Sequence, residues 1–71
     1  MKREALIHEV ATAARERGLQ LVLRRHGGEH DIFTCGPVTF AIPRHREVRE
    51  PLVRRLRREL ETALGERWWR R

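Results

Sequence analysis

The sequence has a single cysteine, Cys35, so no internal disulfide can form, and no thiol cluster is present to hold zinc or act as a redox pair. It has no apolar run approaching the length that crosses a bilayer, so no membrane partner is expected. The start, Met1-Lys2-Arg3-Glu4, leads straight into an amphipathic pattern containing acids, unlike a signal peptide, and the expected compartment is the cytoplasm. Internal repeats, linkers and low-complexity stretches are lacking. With 71 residues there is room for one domain, 1–71, with a core over about 2–64 and a basic tail over 65–71. A core this modest would gain from a stabilising partner.

Lysine is nearly absent as well: Lys2 stands against fifteen arginines, a bias that genome composition alone can produce. The distribution of charge says more. The formal net charge is +6, and residues 44–71 hold ten arginines against five glutamates. A basic surface concentrated in this way is the usual footprint of a polyanion, since every phosphate contact releases counterions. RNA, DNA and an acidic protein all qualify on charge alone.

Leu6, Ile7, Val10, Ala13 and Ala14 recur at helical spacing, and Gly18 is placed to end the helix. Leu19, Leu21 and Leu23 then alternate with polar residues, as in a strand with one buried face. Gly27-Gly28 forces a turn, His30 to Thr34 reads as a second strand, and Gly36-Pro37 separates it from a third in which Val38, Phe40 and Ile42 alternate. From Glu50 to Leu64 the apolar residues form one stripe, with Pro51 suited to the first turn and Gly65 to the stop. The pattern predicts an α+β fold of order α-β-β-β-α: a three-stranded antiparallel sheet with two helices packed on one face.

Two segments carry chemistry. In Gly27-Gly28-Glu29-His30-Asp31-Ile32-Phe33 a glycine turn delivers His30 at the start of a strand. Parity puts Asp31 and Phe33 on one face and His30 and Ile32 on the other, without deciding which face is inward. In Ile42-Pro43-Arg44-His45-Arg46 a proline ends the third strand and His45 lies between two arginines. Imidazoles beside guanidinium groups have the parts for metal-free RNA cleavage: a base for the 2′-hydroxyl proton, an acid for the leaving oxygen, and cations for the charge on phosphorus oxygens. His30 is the candidate catalytic residue, His45 a possible assistant, and Arg24, Arg25, Arg44 and Arg46 the phosphate-binding candidates, with Gly27 and Gly28 positioning the site. The plainer reading is that the histidines cap strand ends. A metal site from His26, His30, Asp31 and His45 matches no compact zinc spacing, and no metal or cofactor is expected. His26 reads as a solvated turn residue. Trp68 and Trp69 among arginines would stack on unpaired bases, dock on a protein partner, or fold back on the helix end.

The ordered series Lys2-Arg3-Glu4-Ala5-Leu6-Ile7, Gly28-Glu29-His30-Asp31-Ile32-Phe33 and Pro43-Arg44-His45, followed by a basic helix, resembles the HicA family of small toxins from bacterial toxin–antitoxin systems. The resemblance covers roughly residues 2–64. It implies a double-stranded-RNA-binding-domain-like fold, an mRNA interferase activity that arrests translation, His30 as the catalytic histidine, and a cognate HicB-type antitoxin as partner. The chain departs from the family pattern at Glu29, where many members have serine, and at Asp31, where a second histidine is frequent. It also extends past the usual end through Glu66-Arg67-Trp68-Trp69-Arg70-Arg71. Two carboxylates flanking His30 would favour its protonated form and repel an incoming phosphate.

Overall fold

A computed structural model describes residues 1–70. The chain runs α1 (Arg3–Glu16), β1 (Leu21–Gly27), β2 (His30–Cys35), β3 (Val38–Pro43), α2 (Glu50–Glu59) and a short α3 (Glu61–Leu64). The strands form one antiparallel sheet of order β1-β2-β3, so the α-β-β-β-α layout read from the sequence is the layout of the molecule. The expected single terminal helix is divided at Leu60, yet bonds from Leu60 N to Leu56 O (3.0 Å) and from Leu64 N to Leu60 O (2.8 Å) carry the helical ladder across.

Local chemistry explains the boundaries. Gly18, at φ +71°, closes α1 by turning left-handed while Leu19 N donates to Ala14 O (2.8 Å) and Gly18 N to Arg15 O (3.1 Å), which satisfies carbonyls a helix end leaves open. Both hairpins have two-residue loops, Gly28-Glu29 and Gly36-Pro37. Their first positions are Gly28 at φ +40° and Gly36 at φ +56°, the left-handed conformation such loops require there.

The core takes one face of the sheet. Phe33 and Cys35 from β2 and Phe40 and Ile42 from β3 meet Leu6, Val10, Ala13 and Ala14 from α1, Val53 and Leu56 from α2, and Leu60 and Leu64. Phe33 pairs across the strands with Phe40, and their rings stack with centroids 5.8 Å apart. Leu23 departs from the expected buried alternation. It faces Phe33 across the ladder but is 44% exposed, because β1 is an edge strand and none of its residues is fully buried. Leu19 precedes the strand rather than opening it.

Two further ties complete the domain. Arg57 on α2 grips Glu9 on α1 with both ends of its guanidinium, Nη2 to Oε1 at 2.8 Å and Nε to Oε2 at 3.0 Å, and the Glu9 bond holds Arg57 above its ordinary pKa. The chain start is strapped to the segment after β3: Arg3 N donates to Arg46 O (2.8 Å), Val48 N to Met1 O (2.7 Å), and Lys2 bridges Glu47. The core also reaches past residue 64, since the tail folds back and buries Trp68, whose Nε1 donates to Arg57 O at 2.8 Å. Among the described residues no helix is long and apolar enough to cross a membrane.

Trp68 is thus the largest side chain the tail adds to the core. We expect Trp68→Ala to destabilise the domain by about 3–5 kcal/mol, read as a fall in the urea midpoint, whereas Leu23→Thr should shift stability by about 0.5 kcal/mol or less. An unchanged midpoint for Trp68→Ala would show that the tail does not pack on the domain in solution.

Candidate functional site

At the turn end of the sheet, successive residues of β2 serve opposite faces. Asp31 points to the helix side and is 6% exposed, so its charge has left water and needs partners. Oδ2 accepts from Arg3 Nη2 at 2.6 Å. Oδ1 accepts from His26 Nδ1 and from Arg44 Nε, both at 2.8 Å. Arg3 in turn donates Nε to Pro43 O (2.8 Å), and Arg44 N donates to Glu29 O (2.9 Å), extending the ladder beyond β3. The hydrogen bond from His26, then the bond and charge of Arg44, hold the Asp31 carboxyl below its ordinary pKa against the opposing effect of burial.

His26 reaches Asp31 because β1 carries a bulge. Leu23 pairs with Phe33 and Arg25 with Ile32, leaving Arg24 extra between them. Strict alternation from Leu21 and Leu23 would turn Arg25 toward the helices; the additional residue sends His26 there instead. His26 is therefore a strand residue bound to Asp31 rather than a turn residue, and it is solvent-exposed as its sequence context suggests. This network of Arg3, His26, Asp31 and Arg44 was not read from the sequence, and the parity of Asp31 with Phe33 was the one signal pointing to it.

On the other face lies His30, exposed, paired across the ladder with Gly27 and Pro43. A glycine and a proline are neighbours with little side chain to cover an imidazole. Ile32 and Thr34 follow His30 on the same face, where Arg24 Nε donates to Thr34 Oγ1 at 2.8 Å and Arg25 stands at the Ile32 pair. The bulge thus gives the His30 face two consecutive guanidinium groups.

The sequence-predicted residues separate into two groups. His30, Arg24 and Arg25 share the open face, with the turn of Gly27 and Gly28 beneath them. Arg44, expected beside His30, is instead bound to Asp31 on the opposite face. Arg46 lines a basic cavity of about 350 Å³ with Lys2, Arg3, Glu4 and Arg44. His45 is exposed in the bend after β3, and among the described residues neither its imidazole nor that of His30 has a hydrogen-bond partner. Asp31, expected to flank His30 with charge, is turned away from it and neutralised by arginine, leaving Glu29 as the adjacent carboxylate. His26 and Asp31 meet, but among the described residues no group of three or more histidine, cysteine or acidic side chains converges as a metal site would require.

Because the carboxyl of Asp31 titrates lower in the folded than in the unfolded chain, its contribution to stability is complete above the unfolded value, near pH 4, and is lost as pH falls through the folded value. We expect the urea midpoint of the wild type to drop between about pH 4 and pH 2 by more than that of Asp31→Asn, which lacks this contribution throughout and is less stable at neutral pH. Parallel pH profiles for the two proteins would exclude Asp31 as the anchoring charge.

The chain matches no protein-family model, no curated protein and no solved structure, so the likeness to HicA toxins rests on the ordered sequence motifs at residues 2–7, 28–33 and 43–45 and the basic helix that follows them.

Proposed function

We propose that this chain is a metal-independent endoribonuclease of the HicA type, the toxin of a toxin–antitoxin pair, which cleaves mRNA in the cytoplasm with His30 as general acid or base. The observation that carries the reading is the setting of His30: an imidazole at the first position of the central strand, uncovered between Gly27 and Pro43, on the same face as Arg24 and Arg25. Imidazole ordinarily titrates close to neutral pH, which suits it to take or give a proton at the 2′-hydroxyl or the leaving oxygen. Guanidinium groups match phosphate geometry and offset the charge that grows on the phosphorus oxygens. The turning of Asp31 to the other face supports the same reading, because it removes one of the two carboxylates that would repel RNA.

The partner side follows from charge. A HicB-type antitoxin would cover the open face with acidic groups, competing with RNA for Arg24 and Arg25 and adding stability to a small domain by mass action. One observation favours a second reading, a non-catalytic RNA-binding module with a double-stranded-RNA-binding-domain-like fold: among the described residues no side chain bonds His30, so its ring is not oriented by a neighbour as catalytic histidines usually are. A module of that kind would use the arginines for phosphate and shape contacts alone.

The two readings separate in one assay. Antitoxin-free wild type and His30→Ala, each verified as folded by circular dichroism, are incubated with an end-labelled mRNA fragment in EDTA. The endoribonuclease reading expects cleavage by the wild type and a rate lower by about 10²- to 10⁴-fold for His30→Ala. Intact RNA with both proteins, together with equal binding, would overturn it in favour of the binding module.

A further inference from the structure

Trp69 has no part in the site around His30. The returning tail leaves a cavity of about 460 Å³ against the outer side of α2, in the helical layer and away from the open face of the sheet. Trp69 forms part of its wall, half-buried, its ring roughly perpendicular to that of Trp68 with centroids 5.8 Å apart. Arg54 and Arg58, one helical turn apart, line it from α2, and Arg67 and Arg70 line it from the tail. Among the described residues no hydrogen bond or ion pair engages any of these four guanidinium groups. The fifth arginine of the wall, Arg57, is committed to Glu9.

The tail is held in this shape under strain. Arg67 has φ +52°, a left-handed conformation that is unfavourable for a residue with a side chain. It is kept there by its own N–H donating to Glu61 Oε2 (2.8 Å) and by the buried Trp68 bonded to Arg57 O. Strain maintained by the surroundings is common at ligand clamps, and here it sets Arg67 and Trp69 on one wall.

We propose that this cavity binds one unpaired nucleotide of single-stranded RNA, the base stacked on Trp69 and the flanking phosphates held by Arg54 and Arg58. An indole face ringed by free guanidinium groups is the combination that single-strand binders use. Two glutamates decide between this ligand and an acidic peptide. Glu50 and Glu61 share the wall; their charge opposes phosphate and carboxylate alike, so what separates the two ligands is that these carboxylates accept hydrogen bonds from the amino groups of a nucleobase, donors that acidic side chains lack. The inference rests on RNA being the polymer recognised, and it adds a second contact remote from the reacting face, so that a bound strand extends around the domain.

The test measures binding of a fluorescently labelled decaadenylate by anisotropy, in a His30→Ala background so that no cleavage intervenes. Trp69→Ala should weaken binding about tenfold, and Trp69→Phe, which keeps a stacking surface, should recover most of it. Arg54→Ala/Arg58→Ala, at two exposed positions where folding is not at risk, should weaken binding and make the salt dependence shallower by about 1.4 in log–log slope. Unchanged affinity in both sets of variants would overturn the proposal, as would tight binding of a labelled decaglutamate that competes with the RNA and depends on Trp69. The catalytic reading is judged separately: if the wild type fails to cleave RNA but Trp69 and the arginine pair govern binding, the nucleotide site stands and the endoribonuclease does not.

Discussion

A carboxylate removed from water must be met by donors, and the donors that meet Asp31 come from every part of the chain that has to come together at the turn end of the sheet. Arg3 belongs to α1, His26 to β1, Arg44 to the exit from β3, and Asp31 itself to the central strand. Four segments separated by up to 41 residues are tied through two oxygen atoms. Such a network is costly to leave half-made, since removing one partner exposes the others to desolvation without compensation. The apolar core holds the helices to the sheet, the two hairpin loops set which strand ends meet, and the carboxylate ties those ends to the chain start beside the segment after β3.

That constraint also divides the labour of β2. Successive side chains of a strand point to opposite faces, so the residue that anchors the turn and the residue offered to solvent are neighbours in the chain. With Asp31 fixed at both oxygens, the backbone at His30 has little freedom, even though among the described residues no hydrogen bond holds the imidazole. The basic charge is divided in the same way: Arg3 and Arg44 neutralise Asp31, Arg24 and Arg25 face outward, and the arginines of α2 and the tail form a separate field. The net charge of +6 is therefore divided among separate local features rather than spread over one uniform surface.

Much of the fold could be read from period and punctuation. The helical spacing of Leu6, Val10 and Ala14, the alternation of Phe40 and Ile42, and the glycines at the two hairpins act within a few residues of one another, and local rules are sufficient for them. Leu23 misleads because alternation reports only which face a residue takes. Whether that face is covered depends on how far the helices extend over an edge strand. The environment of His26 was hidden for a different reason. A bulge is decided by how two strands fit, and one extra residue reverses the facing of everything between it and the turn. Trp68 had several partners open to it in sequence terms, and the carbonyl of Arg57 that receives its N–H is eleven residues away. His30 stands out in the sequence by the glycine turn before it, while the placement of Arg44 away from it follows from the buried carboxylate of Asp31, which takes that guanidinium.

The bulge at Arg24 has a consequence for the history of the chain. Leu23 and Arg25 already pair with adjacent residues of β2, so from the standpoint of the ladder Arg24 is a supernumerary residue. A lineage that lost it would keep both hairpin turns, the pairing of His26 with Asp31 and the pairing of Leu23 with Phe33, and would forfeit one outward guanidinium. Length variation by a single residue at this point is thus a low-cost way for the fold to change the charge of its open face without renegotiating its interior.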